Sequence, residues 1–281
     1  MNPSSGESPF RILPLKSPFP GKIFYLPETT STMDLSRQAV RDAHPAAPPA
    51  GTVFMAGSQT QGRGRLARRV WEARRDSSLL FTLLLPRPAF LPLAGEDGGE
   101  GDSLLSLFPL IAGLALSQAL ERGGLKPRIK WPNDLYLGER KAGGILCETQ
   151  GSCLAAGVGL NCLQESWPPN LAGKAVSLYQ FTGRPWSPGE VLEDFLACLA
   201  GLLGILSHGE EAGILAAIED RLLGRGRAVF WRPHPGEAEE VAGVLEGLGE
   251  KGRLRLRDTG GRIIEVVSGE VVFPGFSTLT N

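Results

Sequence analysis

Cysteine and histidine are both scarce in this chain of 281 residues. The four cysteines (Cys147, Cys153, Cys162, Cys198) form no C-x-x-C pair, and the three histidines (His44, His208, His234) stand too far apart for a zinc-ligand spacing. A zinc centre built from neighbouring ligands is thereby excluded, and reduced thiols in a cytoplasm are expected. Neither sign of charge is in excess: 29 Lys and Arg face 30 Asp and Glu, for a formal net charge of -1. No global field recommends a nucleic acid or a membrane as partner, so any anion site must be local. The longest apolar stretch, 104–120, is broken by Ser106, Pro109, Ser117 and Gln118. It falls short of the roughly 20 residues that span a bilayer and reads as a buried helix. The opening MNPSSGESPF lacks the basic-then-apolar pattern of a secretion signal. There is no G-x-x-x-x-G-K-[ST] loop and no G-x-S-x-G elbow, so neither a Walker-type nucleotide site nor a serine-hydrolase elbow is expected.

What is present is an ordinary globular composition, 42% hydrophobic and 21% charged, in a length suited to one large domain or a domain with a small appendage. After a Pro-rich lead (1–21), KIFYL reads as a strand and TTSTMDLSRQAV as a helix, with Ser31 and Asp34 as an S-x-x-D capping box. Buried strands are expected at 53–56 and 79–85, a long loop between them, a solvated acidic connection at 94–102 and a helix over 103–122. From 128 to 161, short apolar runs separated by turn residues predict consecutive antiparallel hairpins. Helical spacing of Leu and Ala follows at 188–206 and 210–223, covering one face of that sheet. Beyond 225 the texture turns to alternation with Gly-containing turns, a small all-β module too short to bury much surface alone.

Three segments have residues suited to chemistry. Residues 61–75 hold six arginines (63, 65, 68, 69, 74, 75) against Glu72 alone, five excess positive charges in a nearly neutral protein. Gly62 and Gly64 alternate with Arg63 and Arg65, so backbone N–H groups and guanidiniums can both approach an anion. A solvated basic loop would have the same composition. In IKWPNDLYLGERKAGGIL, Lys130, Asn133, Asp134, Arg140 and Lys141 surround a Trp-Pro turn between apolar strands. Asn133 and Asp134 offer oxygens suited to Mg²⁺ and Lys141 a point charge for phosphate, although an Asn-Asp hairpin turn alone would read similarly. The third segment, Gly157-Val158-Gly159-Leu160-Asn161, ends an apolar strand with a G-x-G that by itself marks only a turn.

In order along the chain, TST (30–32), QTQGRGR (59–65), KWPND (130–134), RKAGGIL (140–146) and GVGLN (157–161) resemble the biotin protein ligase family, over about residues 22–280. The resemblance implies an α+β fold: a class II synthetase-like catalytic domain (22–224) built on a mixed or antiparallel sheet with helices, then a small SH3-like β barrel (225–281). The implied reaction joins biotin to ATP as biotinyl-5′-AMP, with Mg²⁺ accompanying ATP, and passes biotin to a lysine of a biotin carboxyl carrier protein or domain. Ser31, Thr32 and Gln59 are implied at the ureido ring, with Gly62, Gly144 and Gly157 as close backbone walls. Arg63 and Arg65 would cover carboxylate and phosphates, Lys141 would sit where carboxylate meets α-phosphate, and Asp134 would help place Mg²⁺. Lys130, Asn133, Asn161 and Trp71 complete the implied nucleotide side. This chain reads LARRVW where many relatives carry a glycine, which leaves the roles of Arg68, Arg69 and Trp71 open. With about 21 residues ahead of the first strand, the form lacking an N-terminal DNA-binding domain is expected. Lipoyl or octanoyl ligation on the same fold is the nearest alternative. A nucleic-acid-binding module using the arginine-rich loop is a more distant one.

Overall fold

The computed structural model describes residues 9–44, 46–65, 71, 73–86, 101–233 and 240–274, with side chains of the helix opening at 101 described from Ser106 onward. The chain is α+β. An eight-stranded sheet is built from β1 (Arg11–Ile12), β2 (Ile23–Leu26), β3 (Thr52–Ala56), β4 (Ser78–Pro86), β5 (Arg128–Lys130), β6 (Asp134–Leu137), β7 (Arg140–Gln150) and β8 (Cys153–Asn161), in the order β1-β2-β3-β4-β8-β7-β6-β5. Only β2 and β3 run parallel, so the sheet is mixed. The hairpins expected from 128 onward are β5 to β8. Strands β3 and β4 are buried almost end to end, which is why their sequences run apolar instead of alternating.

Helix α1 (Thr32–Ala43) packs on β3, β4 and β8 from one face. On the other lie α2 (Gly101–Glu121) and α4 (Pro188–Ser207), with the short α3 (Leu178–Thr182) before α4 and α5 (Glu211–Glu219) after it. Helix α2 is apolar all round because it is enclosed by the sheet, α4, α5 and the C-terminal unit, so every described side chain from Leu107 to Leu116 is buried. The expected helix over 210–223 ends early. Ile129 of β5 donates to the Arg221 carbonyl and accepts from Leu223, so 221–223 extends the sheet edge instead of continuing α5. The connection at 94–100 lies outside the described residues.

The C-terminal unit contains β9 (Ala228–Arg232), β10 (Val241–Leu248), β11 (Leu254–Asp258), β12 (Ile263–Val266) and β13 (Glu270–Val272), all antiparallel in the order β12-β11-β10-β9-β13. This accords with the SH3-like module expected. Its apolar side is continuous with the main core: Leu245, Leu248, Leu254, Val271 and Phe273 belong to the same cluster as Phe81, Leu110 and Phe195. The junction is tight. Gly252, at φ 72°, lies so close to α2 that a Cβ there would stand 2.8 Å from Leu110, and its carbonyl accepts the Trp131 indole N–H at 3.1 Å. All four cysteines are free; burial pushes the Cys162 thiol up to about 12 and that of Cys147 higher still, so both are unreactive packing residues.

Candidate active site

Two strand ends and one loop create the polar floor of the principal cavity. Beyond β2 and β3 the chain continues in parallel, with Thr29 pairing to Gln59 and Gln61 donating to the Thr30 carbonyl. This brings the start of α1 against Gln59. Gln59 Oε1 accepts from the Thr32 N–H at 2.8 Å and the Thr32 hydroxyl at 3.2 Å, while the Thr82 hydroxyl donates to Thr32 Oγ1 at 2.8 Å. Ser31 is the N-cap, its Oγ accepting from Met33 N–H at 3.3 Å. The expected capping box does not form, because the Asp34 carboxylate turns outward to Arg37, Arg63 and the Thr30 hydroxyl. Burial would raise the Asp34 pKa, but the hydrogen bond and charge of Arg63, reinforced by Arg37, outweigh this and hold it below the usual carboxylate value.

Opposite lies the charged corner. Strands β6 and β7 pair Asp134 with Gly144 and Tyr136 with Lys141, with a bulge between. The bulge brings Lys141 onto the Asp134 side, and Lys141 Nζ stands 2.6 Å from Asp134 Oδ1, both side chains largely covered. Gly144 leaves room beside the pair: a Cβ there would lie 3.3 Å from the carboxylate and 3.4 Å from the ammonium. Lys130 is buried and sits over the Tyr136 ring, 5.9 Å from its centroid. Among the described residues no three metal-ligating side chains cluster. A divalent ion therefore fits this corner only as one carried in on ligand oxygens, with Asp134 its protein carboxylate.

The two halves enclose a cavity of about 280 Å³, open at one side. Of the residues singled out from sequence, Ser31, Thr32, Gln59, Arg63, Arg65, Trp71, Lys130, Asn133, Asp134, Lys141, Gly144, Gly157 and Asn161 all line it. Gly62 is buried just outside, its carbonyl accepting from Trp71 N–H at 3.0 Å. Asn133 and Asn161 are each tied to neighbouring backbone through the side-chain amide. Asn133 donates from Nδ2 to the Ile145 carbonyl at 2.8 Å, and Asn161 donates to the Val176 carbonyl at 3.3 Å. The Trp71 indole lies flat on β8, where a Cβ at Gly159 would come within 2.7 to 2.9 Å of its ring, and its buried N–H has no hydrogen-bond partner among the described residues. A Cβ at Gly157 would touch Met33 Sδ at 3.0 Å, so the neighbouring glycine clears the floor instead. Arg68 and Arg69 lie outside the described residues, so nothing bears on the roles left open for them.

Sequence reasoning missed Trp167, Asn170, Lys174 and Glu270, all of which line the cavity. The first three sit on the loop between β8 and α3, where only the polarity following GVGLN gave a signal. Glu270 opens β13 of the C-terminal unit, and the neighbouring Gly269 carbonyl accepts from Arg65 Nη2 at 2.5 Å. Only folding brings that unit to the cavity wall. The arrangement offers a polar floor of hydroxyls and an amide, an apolar glycine-lined middle, and a cationic corner beside a tryptophan face. Those features suit a molecule with a polar head and a carboxylate, placed next to a nucleotide.

A model of the biotin/lipoate A/B protein ligase family matches residues 25–164. The bifunctional ligase/repressor BirA of Bacillus spizizenii is 33% identical over 158 residues, 53% of this chain and 45% of its own length. The chain thus spans about half the length of such curated relatives. The biotin--[acetyl-CoA-carboxylase] ligase of Paracoccus denitrificans is 30% identical over 235 residues, 79% of this chain and 90% of its own. Among solved structures, the biotin protein ligase from Aquifex aeolicus in complex with biotin and ATP superposes with a TM-score of 0.74 at 31% identity, covering 90% of this chain and 98% of that one.

Proposed function

The chain belongs to the biotin protein ligase family, and from that premise we propose that it activates biotin with ATP and transfers it to a lysine of a biotin carboxyl carrier protein or domain in the cytoplasm. The observation that supports this best is the pairing of the Ser31-Thr32-Gln59 floor with the Lys141-Asp134 corner across one cavity. In the first step a biotin carboxylate oxygen attacks the α-phosphorus of ATP. The bond to the bridging oxygen breaks, and pyrophosphate leaves with the electron pair. In the second, the carrier lysine amine attacks the acyl carbon, AMP departs and the amine loses a proton.

The floor binds the ureido head through hydroxyl and amide groups, and Gly157 lets the bicycle lie against backbone. Lys141 stabilises the negative charge that develops between carboxylate and α-phosphate, held in place by Asp134 before any ligand arrives. Arg63 and Arg65 exchange their present partners, Asp34 and the Gly269 carbonyl, for ligand oxygens as the loop closes. Trp71 offers a flat face to adenine. Mg²⁺, when bound, would screen the phosphate oxygens from one another, with Asp134 as the side chain that holds it. Lipoate is disfavoured on this floor because a dithiolane ring offers the Ser31 and Thr32 hydroxyls and the Gln59 amide no hydrogen-bonding group to match a ureido head.

The test is exchange of labelled pyrophosphate into ATP by the purified protein. Exchange that depends on biotin and is not supported by lipoate is expected. Exchange driven equally by lipoate, or absent with both, would overturn the reading.

A further inference from the structure

Within the cavity, one cation differs from the rest. Arg63 is paired to Asp34, Arg65 is hooked to the Gly269 carbonyl, Lys141 is bridged to Asp134, and Lys130 is buried over the Tyr136 ring. Lys174 also lines the cavity and is half-buried, yet its ammonium makes no hydrogen bond or ion pair among the described residues. Its position is not left to a loose loop. The Lys174 carbonyl accepts from the Lys141 backbone N–H at 2.8 Å, and Val176 N–H donates to the Lys141 carbonyl at 2.9 Å, so the two lysines are tied through adjoining backbone. The loop that carries Lys174 is braced from behind, with Trp167 Nε1 donating to Gln180 Oε1 at 2.7 Å and Gln180 Nε2 donating to the Glu165 carbonyl at 2.8 Å. Gly173, at φ 75°, makes the turn that presents it.

We propose that Lys174 is the binding residue for the leaving pyrophosphate, the β- and γ-phosphates of ATP before reaction. This rests on the adenylating function proposed above and assigns a further residue to that site. A triphosphate brings several negative charges, and a cation already satisfied by a carboxylate must give up that partner to meet them. Among the described residues Lys174 has none to give up, and its backbone is bonded to that of the lysine assigned to the α-phosphate. Its point charge on a flexible stem suits a group that must be held before the reaction and let go after it.

The experiment begins with a measurement that needs no catalysis: titration calorimetry of inorganic pyrophosphate into the full chain. Lys174→Ala is expected to weaken binding by about tenfold, the scale of one lost charge-assisted contact, and Lys174→Arg to restore most of it. Should alanine disturb the fold, Lys174→Gln keeps the stem and removes the charge. In exchange assays the same variants should raise KM for ATP and for pyrophosphate by a similar factor while KM for biotin stays within about twofold. Transfer from supplied biotinyl-5′-AMP, which involves no pyrophosphate, should be unchanged. Pyrophosphate affinity equal in parent and Lys174→Ala would overturn the assignment. A parent that binds pyrophosphate through Lys174 but shows no biotin-dependent exchange would instead overturn the function while leaving the anion subsite standing.

Discussion

Lys141 joins a local structure to the chemical step proposed for it. Its ammonium is fixed at 2.6 Å from Asp134 in a corner that Gly144 keeps open. Lys141→Ala should therefore fold but lose about 10²-fold or more of pyrophosphate exchange, the magnitude of one lost preorganised electrostatic contact. Activity within a few-fold of the parent would remove Lys141 from its role. Asp34 supplies a second prediction. Its folded pKa is depressed, so its ion pairs stabilise the fold at pH values above the unfolded carboxylate range, and the benefit disappears as pH falls through the folded value. Asp34→Asn should lower the Tm at pH 7, and the gap to the parent should close below about pH 4, where the unfolded carboxylate already takes up protons. A gap that is constant from pH 7 to pH 2 would mean that Asp34 acts through packing alone. Such residues were legible because each falls inside a short dense motif. The exception is instructive: the spacing of Ser31 and Asp34 fits a capping box, yet arginines 3 and 29 positions further on compete for the carboxylate and win.

At the level of elements, hydrophobic periodicity and turn residues located nearly every strand and helix, because the central strands β3, β4 and β8 are buried almost end to end and their apolar runs are unbroken. Pairing order was another matter. That β4 lies between β3 and β8, or that 221–223 leaves α5 to follow β5, depends on contacts between residues far apart in sequence, such as Ser78 with Asn161 and Ile129 with Leu222, that no local pattern encodes. Strand β8 also demonstrates why a bare G-x-G was ambiguous. Gly159 is there because a tryptophan lies on it, which only the folded sheet reveals. Gly159→Ala would place a methyl carbon 2.7 Å from the Trp71 ring, so the indole must lift off the strand. We expect an altered tryptophan emission and a KM for ATP raised about tenfold, with biotin affinity nearly unchanged. An unchanged KM for ATP would separate Trp71 from the nucleotide.

Across the whole molecule, the C-terminal sheet is more than an appendage. It shares one apolar core with the main body, closes on α2 through Gly252 and Trp131, supplies Glu270 to the cavity wall and anchors Arg65 through the Gly269 carbonyl. From sequence, the biotin-directed motifs all lie upstream of residue 226, so loss of the sheet is expected to impair ATP use and transfer while leaving some biotin binding. The geometry of the cavity follows the same division. Among the described residues, the hydrogen bonds of the floor formed by Ser31, Thr32 and Gln59 reach nothing beyond residue 226, whereas Arg65 donates to the Gly269 carbonyl and Glu270 lines the cavity. Ending the chain at residue 225 should thus keep biotin binding within a few-fold and abolish most ATP-dependent exchange. It should also cost stability, because Leu107 and Leu110 lose their cover and each fully buried leucine contributes roughly 2 kcal/mol. Calorimetry with biotin alone, read beside the exchange assay at a temperature where the shortened protein is folded by circular dichroism, distinguishes the outcomes. Loss of biotin binding in a folded sample would show that the floor depends on the C-terminal sheet after all. Full exchange activity would show that the cavity needs neither Glu270 nor the anchor that holds Arg65.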